Sequence, residues 1–255
     1  MENRILANCC KKHLDLRNAK LSDEYYYKSL PMCIIDAVFS IGIRYTITRN
    51  VVINFCRKAQ IQRLRDHGTE FPPIECQFSV KSLLELYDEY SIDEITDRFY
   101  QNRNRTSSRS GILKSEAVLR FAKVLEYYGI NYFQDLSKLI GNDEFEKDIK
   151  QIPGQSSGKS TSYFYMLAGE ENYIKADRMI IRFIKYCTGR IVDVGQASSL
   201  IIGALDILKE EFPDLTPRKL DHEIWKYQKN LTTYELHFVK RHNDKEKKRV
   251  EFLLF

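Results

Sequence analysis

The segment from Asp143 to Gly169 carries two helical patterns joined by a turn too tight to hold anything else. Phe145, Ile149 and Ile152 recur at helical spacing in the charged run "NDEFEKDIKQI". A second helical run follows in "SYFYMLAG". Between them stand Pro153 and Gly154, then Gln155, Ser156, Ser157 and Gly158-Lys159-Ser160. The order is helix, Pro-Gly hairpin, helix. The hairpin amides and the N-terminus of the second helix suit one anionic group, such as a backbone phosphate of DNA.

The same residues nearly spell the phosphate loop of nucleotide triphosphatases. That loop needs four residues between its first glycine and the Gly-Lys pair, because the backbone must circle the phosphates. Here only Gln155, Ser156 and Ser157 intervene. The loop must also leave a buried strand, whereas a charged helical run leads in. The spacing therefore argues against a triphosphatase. Tight magnesium-dependent ATP binding sensitive to Lys159→Ala would revive it.

Helical periodicity runs through most of the rest. "RILANCCKKHLDLRNAKL" reads as an opening helix, and "PMCIIDAVFSIGI" as an apolar one with Pro31 in its tolerated first turn. "TRNVVINFCRKAQIQRLRDHG" has a threonine cap and a terminal glycine. "SVKSLLELYDEY" and "SIDEITDRFY" each open on serine, the second with a capping-box glutamate. A basic, turn-rich stretch, "QNRNRTSSRSG", precedes the helical "ILKSEAVLRFAKVLEYYG". After the hairpin come "ADRMIIRFIKYCTG", "VGQASSLIIGALDILKEEF" and "TPRKLDHEIWKYQKN". The fold class expected is all-α. Residues 232–255 differ: alternation on both sides of "HND" predicts a β-hairpin, with a basic disordered tail as the competing reading.

A chain of 255 residues can bury one large core or two small lobes. Its formal net charge of +5 permits nucleic-acid binding without demanding it. The six cysteines, Cys9, Cys10, Cys33, Cys56, Cys76 and Cys187, contain no CxxC pair and follow no export signal. Free thiols in a reducing cytoplasm are expected. No apolar run reaches spanning length, so no membrane partner is expected. Nor does any histidine–carboxylate pattern suggest a catalytic metal.

Taken in order, four pieces resemble the helix–hairpin–helix DNA glycosylases, over roughly Pro31 to Lys229. "IIDAVFSIGIRYTITRNVV" is similar to the first core helix and substrate loop of that family. "SGILKSEAVLRFAKVL" is similar to its glycine–lysine–alanine helix start, "IPGQSSGKSTSYFYMLAG" to its DNA-binding hairpin, and "KADRMIIRF" to the segment bearing its catalytic aspartate. The tail has no counterpart.

The resemblance implies a two-lobed helical fold. Residues 30–170 would form a six-helix barrel with the hairpin, and residues 1–29 with 171–231 a second lobe. A damaged or modified base, turned out of double-stranded DNA, would be held in the cleft between them. It further implies a monomer in the cytoplasm, associated with the nucleoid. No cofactor is implied beyond a monovalent cation bridging hairpin carbonyls and phosphate. The four-cysteine iron–sulfur cluster of some members is excluded, because no cysteine follows Cys187.

Residue roles follow the same route. Asp177 would stabilise positive charge on the deoxyribose and activate water; as a residue it also reads as a helix cap. Lys159 precedes Asp177 by 177 − 159 = 18 positions, the separation of the family's Schiff-base lysine. Counted from the hairpin, however, Gly158 takes the lysine's place, and Ser156 replaces the second glycine. Water is thus the leading nucleophile and Lys159 the alternative. A non-catalytic DNA-binding protein of this fold is the other alternative. Asp36, or Ala37 one residue on, matches the carboxylate position of adenine-removing members, which would protonate the departing base; otherwise it faces a solvated cleft or a paired partner. Arg44 and Tyr45 would fill the opened base pair, although Gly42 stands where many members have glutamine. Phe39 and Tyr165 would line the base pocket, with core packing the default for each. Gly154, Gln155, Ser156 and Gly158 would bind the DNA backbone, joined by Arg109 and Lys114 of the basic stretch.

Overall fold

A computed structural model describes residues 1–66, 70–108 and 110–231. Arg109, Gly68 and the predicted β-hairpin at 232–255 lie outside the described residues. Those described are helical without a strand; two isolated bridges, Tyr27 with Leu64 and Arg105 with Leu113, are the extent of β pairing among them. The α-helices are α1 (Glu2–His13), α2 (Leu30–Phe39), α3 (Tyr45–Ala59), α4 (Val80–Glu89), α5 (Ile92–Ile95), α6 (Lys114–Tyr127), α7 (Asp143–Gln151), α8 (Lys159–Ala168), α9 (Arg178–Thr188), α10 (Val194–Leu208) and α11 (Pro217–Asn230).

Local chemistry sets most of the ends. Ser79 Oγ accepts from Ser82 N at the head of α4, and Ser91 with Glu94 forms a complete capping box at α5. Thr216 caps α11, whose first residue is Pro217. Two predicted helices are shorter than expected. The first ends at His13, because the chain turns extended at Leu14 and Asp15 takes up a local hydrogen bond with Asn18. The third begins a turn early, on Tyr45, with Thr48 buried inside it rather than capping it. It stops at Gln60, which adopts a left-handed conformation, φ 57°.

The chain divides into two compact units, Ser22–Glu170 and Met1–Leu21 with the chain from Glu171 onward. In the first, α2 is the central element: every residue from Leu30 to Phe39 is buried, and α3, α6 and α8 pack around it. Each of its large aliphatic or aromatic side chains contributes roughly 1.5–3 kcal/mol by leaving water. An aromatic layer lies beside it, with Tyr100 stacked on Phe55 at 5.4 Å and tilted against Phe39 at 5.2 Å. The Tyr100 hydroxyl meets that of Tyr87, which donates to the Ser115 carbonyl. Burying these phenols is tolerable because each polar tip has a partner.

In the second unit α1, α9, α10 and α11 surround a core that includes Leu6, Ile180, Phe183, Ile201, Leu205, Leu220 and Ile224. Cys9 of α1 and Cys187 of α9 form a disulfide, which corrects the expectation of six free thiols. The two residues are 178 positions apart, so spacing along the chain carried no sign of the pair. Among the described residues no helix is long and apolar enough to cross a membrane.

Candidate functional site

In the first unit the hairpin forms as a helix–turn–helix. Helix α7 is capped by Asn142, whose side chain accepts from Phe145 N, and it buries Phe145 and Ile149. The turn is closed by Gln155 N donating to Ile152 O at 2.9 Å and Gly158 N to Gln155 O at 3.0 Å. Gly154 and Gly158 both have positive φ, 85° and 70°, which glycine adopts without strain. Gly158 is the N-cap residue of α8 and supplies no side-chain cap, so the first amides of α8 keep their donors for another partner. Ser156 and Ser157 are exposed; Gln155 is buried. Gln155 Oε1, Ser160 Oγ and Thr161 Oγ1 are buried without a hydrogen-bond partner among the described residues. Lys159 opens α8 and is half-buried. The stem of Lys150 crosses Gly158, its Cε 3.1 Å from where a Cβ would stand. The carbonyls of Ile152 and Gln155 take one turn hydrogen bond each and keep a second lone pair, a donor type that a monovalent cation accepts.

The basic stretch folds against this hairpin. Thr106 N donates to Ile112 O and Lys114 N to Asn104 O, so residues 104–106 run back against 112–114. A Cβ on Gly154 would lie 2.4 Å from Thr106 Cβ, so only glycine allows the two turns to touch. The cations of the stretch are largely used within the fold. Arg103 bonds Asp93 and Asp97, and Arg105 donates to the Gly111 carbonyl at 2.7 Å.

Lys114 is a correction. It is 2% exposed, and its ammonium donates to Phe39 O at 2.8 Å and Ile41 O at 2.6 Å. It neutralises the carbonyl end of α2 rather than facing a phosphate. In doing so it holds the loop that leads to Arg44 and Tyr45. Arg44 is exposed at the N-cap position of α3, and Tyr45 is half-buried with its ring 5.8 Å from that of Tyr25.

The two base-pocket residues are also corrected. Phe39, 1% exposed, packs on Tyr100. Tyr165, fully buried, packs on Phe145 and Phe164 and donates its hydroxyl to Leu139 O. Both fill the core, because α2 and α8 turn these positions inward. Asp36 has the paired partner rather than the solvated cleft: it is wholly buried, and Tyr27 donates to its Oδ2 at 2.9 Å. Burial, and after it the charge of Asp36, pushes the Tyr27 hydroxyl well above the ordinary phenol range.

In the second unit Asp177 is the N-cap of α9, its Oδ1 accepting from Met179 N at 2.7 Å. Its own amide donates to Lys175 O at 2.6 Å. The Lys175 amide in turn donates to Asp221 Oδ1 at 3.0 Å. Burial, reinforced by the negative charge of Asp177, pushes the Asp221 carboxyl up to about 8. Sequence reasoning missed Asp221. Its signal was present: it sits on the buried face of α11 with Leu220 and Ile224, where an unpaired carboxylate is costly. Its neighbour His222 is buried as well, which lowers its pKa to about 4. Among the described residues no three histidine, cysteine or acidic side chains gather as a metal site would.

A family model, a domain of unknown function (DUF8548), matches residues 4–229. The chain belongs to that family. The match takes in both units, from within α1 to within α11. No curated protein and no solved structure matches the chain. The family's description names no activity, so the functional reading rests on the geometry of the hairpin and of Asp177.

Proposed function

We propose that this protein is a DNA base-excision glycosylase with a helix–hairpin–helix, acting on a flipped damaged or modified base with water as nucleophile. The observation that carries the reading is the pairing, in one chain, of a glycine hairpin that opens α8 and a carboxylate held rigid at the head of α9. The hairpin supplies amide donors at the head of α8 to one backbone phosphate. Arg44, exposed at the head of α3, enters the gap left by the flipped base.

The chemistry assigned to Asp177 is charge stabilisation. As the bond between C1′ and the base breaks, its electron pair leaves with the base, which takes a proton from solvent. Positive charge builds on C1′ and the ring oxygen, and the fixed carboxylate lowers its energy. The water oxygen then bonds to C1′, and its proton passes to Asp177 and on to solvent. The products are a free base and an abasic site. Lys159, the first residue of α8, is the second reading: its amine would attack C1′ in place of water and form a Schiff base.

Labelled duplexes carrying a panel of lesions and modified cytosines test this. The expected result is strand breakage only after mild alkali, lost in Asp177→Asn while duplex binding persists. Breakage without alkali, with a borohydride-trapped adduct absent in Lys159→Ala, would move the nucleophile to Lys159. Duplex binding with no base release across the panel would make the chain a non-catalytic DNA-binding protein.

A further inference from the structure

Asp221 and Asp177 meet through the backbone of one residue, Lys175. The Lys175 amide donates to Asp221 Oδ1 at 3.0 Å, and two bonds along the same residue the Lys175 carbonyl accepts from Asp177 N at 2.6 Å. The Asp177 side chain then closes on Met179 N at 2.7 Å. The turn that presents Asp177 is thus tied on its inner side to a single buried side chain from another helix. Asp221 is 9% exposed and stands on the apolar face of α11 between Leu220 and Ile224, which are completely buried.

An aspartate is an expensive choice for that place. The Lys175 amide needs only an acceptor oxygen, which asparagine would offer without a charge to bury. Aspartate there brings a second carboxyl group from α11 against the turn that presents Asp177. Among the described residues, the titratable groups acting on Asp221 are Asp177 at the head of α9 and Lys175 in the segment leading into it. Burial and Asp177 both favour the protonated form, and the Lys175 amide and ammonium oppose them.

We propose that Asp221 is the positioning residue for Asp177, holding the Lys175–Asp177 turn in register through its bond to the Lys175 amide. The assignment rests on the glycosylase reading for its catalytic consequence, but not for the coupling itself.

The test uses the full chain with carbon-13 in its aspartate carboxyls, titrated by NMR, alongside base release from the duplex panel. Asp177→Asn is expected to lower the midpoint of Asp221 by at least about half a unit, since a like charge has been removed. Asp221→Ala is expected to shift the Asp177 signal and slow base release roughly 10- to 100-fold with KM little changed, the cost of a misplaced catalytic group. Asp221→Asn, which keeps the acceptor, should restore both to near the wild type. If the midpoint of Asp221 does not move in Asp177→Asn, or if the Asp177 carboxyl signal is unmoved in Asp221→Ala, the positioning role is wrong. Should the wild type release no base at all, the NMR arm still decides the coupling, and only the glycosylase reading falls.

Discussion

The ammonium of Lys114, at the start of α6, donates to the Phe39 carbonyl, at the end of α2, across 75 residues of chain. A second bond, to Ile41 O, ties down the loop that follows. One buried cation thereby satisfies two carbonyls that the end of α2 leaves open.

Lys114→Met keeps the stem and removes those bonds. It should cost about 2–3 kcal/mol, because buried carbonyls lose their partner. Denaturant unfolding measures the loss, and hydrogen exchange at the Ile41–Tyr45 amides should speed up. Unchanged stability combined with weaker duplex binding would instead return Lys114 to the surface role expected from the basic stretch.

Gly154→Ala meets two obstacles, φ of 85° and a Thr106 Cβ 2.4 Å away. Together they should cost about 1–3 kcal/mol. Because the strain falls on the hairpin, duplex affinity should fall as well. Gly141, also at positive φ, has open space around its Cβ position, so Gly141→Ala should lose stability without losing affinity. Equal affinity losses in the two variants would remove the hairpin from the interface.

The pH dependence of stability separates two buried neighbours on α11. Asp221 holds its proton up to about 8 against an ordinary 3.8, so the folded state binds more protons and stability falls as pH rises through that window. His222 charges only near 4 against an ordinary 6.5, so its contribution is lost as pH falls from 6.5 to 4. The two slopes oppose each other between about 4 and 6.5, leaving a net fall between 6.5 and 8. That fall amounts to about 2 kcal/mol at 1.36 kcal/mol per unit. Thermal melts across this range should show it, and Asp221→Asn should abolish it. A melting temperature that holds level from 6.5 to 8 would contradict the burial cost assigned to Asp221.

The Cys9–Cys187 bond closes a very long loop, since 178 positions separate its ends. Long loops lose most entropy when tied in the unfolded chain, so removing this one by reductant or by a Cys9→Ser, Cys187→Ser double variant should cost about 2–4 kcal/mol. Melts with and without reductant measure it. The double variant should be insensitive to reductant; a residual effect would have to come from elsewhere in the chain.

Much of this fold can be read from the sequence, because helices announce themselves locally. The capping box of Ser91 and Glu94, Pro31 and Pro217 in first turns, and the spacing of Phe145, Ile149 and Ile152 each concern neighbours within a turn or so of chain. The hairpin at Gly154 and the cap at Asp177 belong to the same class. Even the three misjudged ends, at His13, Tyr45 and Ala59, err only in extent.

Burial and pairing were decided elsewhere. Whether Phe39 and Tyr165 line a pocket or fill a core depends on which faces of α2 and α8 meet other helices, and both turned inward. Lys114 belongs by composition with Arg103 and Arg105, yet tertiary packing buries it at the end of α2. Cys9 met Cys187, and Asp221 met the turn of Asp177, across separations that no local pattern spans. Periodicity and capping energies act over three or four residues, so the sequence alone determined the helices and their hairpin. Desolvation and long-range hydrogen bonding act through space, so only the tertiary structure decided which charges are buried and what they hold in place.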